Sequence, residues 1–275
     1  MQLFLTRRRA LLALASTAAT ALLAACGGGI AASAVPASSA TPAGAPSGGS
    51  ASATAKPVSS GAAPRAGGTL RMGVLGDPRA LDPHIAGIFG DVITPMFDRL
   101  IVYDEKLNPQ PSLAESWDAA TDLRQIKLSL RKGVQFHTGR EMTADDVKWN
   151  YTRIKTDPAV AITGLPAQAA QITTIDTPDK YTLVINSDTP YPGVWDFLAL
   201  ALIQDPVTAQ GPDAKTKIVG TGAFKFVEWV QGDHISIAKH TSFWRSGLPY
   251  LDGVRMQIFK DPQAMISALE AGTLD

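Results

Sequence analysis

Histidine, cysteine and paired carboxylates are the side chains here that could carry out chemistry, and their spacing tests whether they do. His84, His137, His234 and His240 are candidate metal ligands or general bases. None stands in an HxxxH or HExxH arrangement, the spacings that put two imidazoles on one helix face toward one ion. His234 and His240 are six apart in an alternating segment, so they share a face but stand far from each other. All four therefore read as surface or loop histidines. Asp145-Asp146 and the Asp118/Asp122 pair could supply an acid and a base. Asp145 and Asp146 open a helical segment, however, where negative charge offsets the macrodipole, and a structural role follows. The glycine-rich "GTGAFK" (220–225) lacks the Gly-Lys-Ser/Thr ending of a phosphate-binding loop. No GxSxG elbow and no Ser/His/Asp arrangement occurs. We expect no catalytic residue, no metal ligand and no cofactor. Trp117, Trp149, Trp195, Trp229 and Trp244 could line a ligand cleft, but each lies within a hydrophobic motif, which assigns most of them to the core.

The elements that would position any site begin near residue 67. "GGTLRMGVLGD" (67–77) reads as a β run, and Asp91–Leu100 has helical spacing of Val92, Met96, Phe97 and Leu100. Ile101–Tyr103 is a short strand, and "PSLAESW" (111–117) a compact loop around a buried Trp. In "IKLSLRKGVQF" (126–136) Ile126, Leu128 and Leu130 alternate with polar residues, as in a half-buried strand. "MTADDVKWNYTRI" predicts a helix with Thr143 as N-cap, Asp146 completing a capping box, and Val147, Tyr151 and Ile154 on one face. Strands at 171–177 and 181–187 flank the turn Pro178-Asp179-Lys180, and a helix covers Pro192–Leu200. "GAFKFVEWV", "HISIAKH" and "GVRMQIFK" are further strands. A last helix, Pro262–Ala271, turns Met265, Ile266 and Leu269 inward and stops at Gly272. Strands and helices mix without a βαβα rhythm, so the class is a mixed α+β form of α/β and not a doubly wound nucleotide fold.

The first 66 residues differ from all this. Arg7, Arg8 and Arg9 precede Ala10–Ala25, a run of Ala, Leu, Ser and Thr. At 16 residues the run falls short of the ~20 that span a bilayer, and it reads as the apolar part of a signal peptide over 1–25. It ends in Leu23-Ala24-Ala25-Cys26, which resembles a bacterial lipobox; Cys26, the only cysteine, would then be the lipidated first residue of the mature chain. More than one acyl chain makes such an anchor durable. The arginines also resemble a twin-arginine export signal, which leaves twin-arginine and general secretion both open. Residues 26–66 are mostly Ala, Ser, Gly, Pro and Thr with no aromatic, too little to bury against the entropy of ordering, and predict a disordered tether. From Gly67 to Asp275 there are 20 basic and 25 acidic residues, a net charge of −5, which excludes nucleic acid as a natural partner.

Taken in order, "GGTLRMG", "LDPH", "FDRLIVYD", "PSLAESW", "LRKGVQFHTGREMTADDVKWNYTRI", "IVGTGAFKFVEWVQGDHISIAKH" and "FWRSGLPYLDGVRMQIFKDPQAMISALEAGTLD" resemble the family 5 extracellular solute-binding proteins, the peptide and nickel type of ABC importers. The resemblance implies a class II periplasmic-binding-protein fold of two lobes that close on a ligand. It places a main lobe at 67–100 and 171–275, an inserted domain at 101–170, and the second lobe outside this chain. The loop after Leu-Asp-Pro-His would offer backbone groups to the ligand through Ala86, Gly87, Ile88 and Phe89, as in strand addition; a loop whose glycines merely allow the turn is the alternative. The implied protein is a non-enzymatic monomer, lipid-anchored outside the cytoplasm, that hands a small, peptide-like solute to an ABC permease. A truncated surface sensor or interaction protein on the same scaffold is the other reading. Cys26→Ser should release the protein from membranes, measured by ultracentrifugal fractionation, while leaving the fold from Gly67 onward intact.

Overall fold

A computed structural model describes residues 64–85, 90–211 and 218–275. The signal peptide and Cys26, and the tether up to residue 63, lie outside the described residues. Two four-stranded sheets and their helices make up the fold. In the first sheet the order is β1 (Thr69–Leu75), β10 (Gly253–Phe259), β9 (His234–Lys239) and β8 (Phe224–Val230). β1 and β10 run parallel, with Thr69 opposite Gly253 and Leu75 opposite Phe259; the other pairs are antiparallel hairpin neighbours. The second sheet is antiparallel, in the order β4 (Ala114–Ala119), β5 (Gln125–Leu130), β7 (Thr182–Asn186) and β6 (Thr174–Asp179). A small ribbon of β2 (Ile101–Tyr103) and β3 (Pro109–Pro111) leads into it. Among the described residues no helix is long and apolar enough to cross a membrane.

The period-two pattern explains the inner faces. Ile126, Leu128 and Leu130 of β5 are buried, as are Ile235 and Ile237 of β9 and Val254, Met256 and Ile258 of β10. Burial of each such side chain contributes roughly 1.5–3 kcal/mol. These residues belong to two separate cores. One joins the first sheet to Val92, Met96 and Phe97; the other surrounds α2 (Ala144–Thr156) with Val147, Tyr151 and Ile154 buried. Asp146 Oδ2 accepts the Thr143 N–H at 2.8 Å, the reaching-back half of the expected capping box. Asp146 also takes Arg140 at 2.8 Å, and the same guanidinium reaches Asp205 at 2.5 Å. Asp205 is 2% exposed and caps α5 (Pro206–Ala209) through Val207 N–H and Thr208 Oγ. One arginine thus offsets two buried carboxylates, and Asp145-Asp146 has the structural role read from the sequence.

Several expectations are corrected. The helical spacing over Asp91–Leu100 yields only α1 (Gly90–Ile93) and a 3-10 turn, Thr94–Met96, since Phe97 turns extended at φ −132°, ψ 151°. "PSLAESW" runs into strand β4, and its Trp117 is half-buried against Trp195, ring centroids 5.7 Å apart. β6 continues to Asp179, which pairs with Thr182; an irregularity between Asp176 and Asp179 accommodates Pro178, which lacks a ladder donor. Helix α6 (Pro262–Glu270) buries no residue: Met265 packs against Gly73, but Ile266 and Leu269 are 45% and 54% exposed. The helix meets the first sheet along one narrow line, so its apolar stripe is only partly covered. The second sheet also runs across residue 170, where a boundary is expected, because β7 pairs with β5 and β6 with β7.

Two polar clusters tie the cores together; His84, His137 and His240 do lie in loops, as read from the sequence, but His84, His234 and His240 are buried rather than at the surface. His84 is fully buried: Nε2–H donates to Leu202 O at 2.9 Å, while Nδ1 faces Arg153 Nη1 at 3.2 Å and Gln204 Nε2 at 3.3 Å, both donors. Arg153, near the end of α2, holds Asp82 with both terminal nitrogens, at 3.1 and 2.7 Å. His137 Nε2 donates to Gly222 O at 3.1 Å, and Gly220 N–H donates to His137 Nδ1 at 3.3 Å. His240 Nδ1 reaches the same Gly222 carbonyl at 3.2 Å. His234 is also buried, between Glu228 and Asp233. The neighbours assign His84 and His137 one neutral tautomer each.

"GTG" is a packing motif. A Cβ on Gly222 would lie 2.5 Å from Pro95 O and 2.6 Å from Phe97 N, and one on Gly220 would strike Met96 O. Gly222→Ala should therefore cost about 2 to 3 kcal/mol in thermal or chemical unfolding. Gly90→Ala, at the open start of α1, should be neutral or slightly stabilising.

Burial pushes His84 and His137 down to about 4. The unfolded chain, titrating near 6.5, then binds the extra protons, so stability is full above about pH 6.5 and falls as pH drops toward 4, by up to about 3 kcal/mol per histidine. His234, raised chiefly by Glu228, contributes with the opposite sign, its stabilisation fading as pH rises through its folded value. Urea unfolding between pH 7 and about pH 4.5 should show the acid loss. His137→Gln, which keeps one donor and one acceptor, should make that limb shallower.

Candidate functional site

Ala86, Gly87, Ile88 and Phe89, expected to meet the ligand, lie outside the described residues. Their flanks are firmly held. On one side His84 and Asp82 are clasped by Arg153 and Gln204, and Ile85 N–H donates to Asp82 O at 3.1 Å. On the other side Gly90 begins α1. Of the remaining candidates, Asp118 and Asp122 are exposed, and Asp145 accepts a hydrogen bond from Thr177 Oγ at 2.6 Å, so no acid and base are brought together. His137 and His240 do meet, edge to face with centroids 4.9 Å apart, but both rings serve the Gly222 carbonyl. Among the described residues no three His, Cys, Asp or Glu side chains are grouped to hold a metal ion. All five tryptophans are half-buried, where the sequence assigned most to the core.

The structure instead presents a groove of about 370 Å³ beside the joint between the cores. Its walls come from the start of β8 and from the segment linking β9 to β10, with Phe224, Phe243, Leu248, Pro249 and Tyr250 supplying apolar surface and Arg245 a charge. Leu248 is 37% and Tyr250 44% exposed, so the groove offers apolar surface to solvent. Trp244 stiffens the segment. Its Nε1–H donates to Asp98 Oδ2 at 2.9 Å, and the same oxygen accepts from Thr221 Oγ at 3.1 Å. Burial pushes the Asp98 carboxyl up, and these two hydrogen bonds oppose the shift. The loop that carries the groove is thus bolted through Asp98 and Thr221 to the "GTG" joint. A second hollow of about 320 Å³ borders Arg71, Arg255 and Phe259, but its Arg71 is already paired with Asp275 at 2.6 Å. The groove is therefore the better candidate. Sequence reasoning missed it, although "FWRSGLPY" carries the signal: aromatic rings, a cation and no acid in one loop.

Comparison with known proteins follows from this geometry. A sequence model of the bacterial extracellular solute-binding proteins, family 5, matches residues 108–275. The oligopeptide-binding protein AppA of Bacillus subtilis is 27% identical over 230 residues, covering 78% of this chain and 41% of AppA. The chain spans about two-fifths of the length of the curated relatives it matches. Among solved structures, AgaA of A. tumefaciens R10, in complex with agropinic acid, superposes with a TM-score of 0.68 at 31% identity, over 76% of this chain and 43% of AgaA. The ABC transporter-associated periplasmic binding protein DppA of Helicobacter pylori, in complex with the peptide STSA, gives a TM-score of 0.68 at 26% identity, over 76% of this chain and 46% of DppA. The resemblance read from the motifs is borne out, and the mixed α/β fold is that of part of these binding proteins. With the match extending over more than half its length, the chain belongs to the family 5 bacterial extracellular solute-binding proteins.

Proposed function

We propose that this chain is the solute-capturing part of an ABC importer, binding a peptide-like solute and delivering it to a permease without catalysing a reaction. The observation that carries the reading is the stiff, apolar, solvent-open groove at Phe243–Leu251, which serves as one wall of the solute site. A peptide laid along it would cover Leu248 and Tyr250, and Ala86–Phe89 would add backbone contacts from the loop whose ends His84 and α1 hold. Backbone pairing with side chains in apolar pockets tolerates varied sequences, as a receptor for mixed peptides requires. Ligand would favour a closed state by differential affinity, and the permease would recognise that state. Lipidation at Cys26 and the tether would keep a monomeric receptor at the outer face of the membrane. The inserted domain is best drawn from about residue 101 to the end of β7, since β6 and β7 complete its sheet. The relatives named for oligopeptide binding support the peptide preference.

Purified protein should melt at higher temperature with a pool of short peptides, because ligand at about 100 times its Kd adds about 2.7 kcal/mol. Tyr250→Ala removes a half-exposed ring, so the free protein should melt within about 2 °C of the parent, with peptide affinity reduced about tenfold. A full-sized shift in that variant would remove the groove from the site.

A further inference from the structure

Arg245 stands at the groove with its guanidinium uncommitted. Among the described residues its side chain makes no hydrogen bond and no ion pair. Several other arginines of this fold are spent on carboxylates or carbonyls: Arg71 on Asp275 at 2.6 Å, Arg140 on Asp146 at 2.8 Å, Arg153 on Asp82 at 2.7 Å, Arg99 on Ala199 O at 3.1 Å. Arg245 instead lies over the Trp244 ring, 4.5 Å from its centroid, and Arg131 lies 4.8 Å from the same centroid. Asp98 is near enough to feel the charge of Arg245, yet forms no ion pair with it, and its Oδ2 is already taken by Trp244 and Thr221. A region with a net charge of −5 thus places a free cation against an apolar groove open to solvent.

Two consequences follow from the chemistry. A guanidinium fork matches a carboxylate bidentately, and stacking on an indole limits the freedom lost on binding. The apolar walls beside it lower the local dielectric, which strengthens a charge contact made there. We infer that the groove selects solutes bearing a carboxylate beside an apolar side chain: Arg245 reads the carboxylate, and Phe243, Leu248 and Tyr250 receive the apolar group. This rests on the solute-capture reading and narrows it from peptide-like solutes in general to one charge pattern. A free peptide C-terminus and an acidic side chain present the same chemistry.

The experiment is calorimetric titration of the full chain with Ala-Ala-Phe, with its C-terminal amide, and with the amide of Ala-Glu-Phe. Ala-Ala-Phe should bind at least about tenfold tighter than its amide, a difference of about 1.4 kcal/mol. The Ala-Glu-Phe amide then tells the sources apart: affinity near that of the free acid assigns a side-chain carboxylate as sufficient, and affinity near that of the neutral amide assigns the terminal one. Arg245→Gln should bring acid and amide to equal affinity with the unliganded melting temperature unchanged, and Arg245→Lys should keep part of the preference. Equal binding of acid and amide by the parent protein, or a preference that survives Arg245→Gln, overturns the charge assignment while leaving capture standing. Absence of binding by all three probes at about 1 mM, the weak limit of about −4 kcal/mol, overturns capture of short peptides and the charge assignment together.

Discussion

The contact on which the rest of the structure depends is the close approach of Gly222 to the backbone of Pro95–Phe97. Without a side chain at 222 the two chain segments come near enough for Gly222 N–H to donate to Met96 O at 3.1 Å. That approach brings Thr221 to Asp98 and aims the Gly222 carbonyl at two imidazoles, one from each side of the joint. His137 belongs to the irregular hairpin after β5, and His240 follows β9. The two hydrophobic cores could pack independently. What sets one against the other is a few backbone atoms brought into register by two glycines.

Polar groups at such a joint are costly unless every donor and acceptor is used. His137 meets that demand by acting as a neutral two-ended linker, donating at one nitrogen and accepting at the other, a task Lys or Arg cannot perform. His84 does the same where the segment after β1 meets α2 and Gln204. The imidazoles that first look like metal ligands or bases are thus structural, and their chemistry shows only as sensitivity to acid. Tryptophan is used in a similar way. Trp244 buries one edge and gives its N–H to Asp98, while its face remains available to Arg245 and Arg131.

The same economy accounts for the groove. Asp98 fastens the segment between β9 and β10 by way of Trp244, so Leu248 and Tyr250 remain exposed on a rigid frame. An apolar surface that could collapse inward would do so; here the anchor prevents it. Rigidity of this kind lowers the ordering cost of any binding there.

Features governed by near neighbours were legible in the sequence. The alternation of β5, β9 and β10, the capping box at Thr143 and Asp146, and the stop at Gly272 depend on contacts within a few residues, and each is present. The ordered set of family motifs was legible for the same reason, being linear strings. Features governed by distant partners were not. Whether Ile266 and Leu269 are covered depends on what lies over α6; whether β6 and β7 join β4 and β5 depends on pairing across about 50 residues. The burial of His84, His234 and His240, the half-exposure of the tryptophans and the free charge of Arg245 arise where segments far apart in the chain meet. Local sequence therefore determined the elements and the family, and tertiary structure alone decided which polar side chains are consumed as joints and which remain free to meet a ligand, because a partner's distance in space is not written in its distance along the chain.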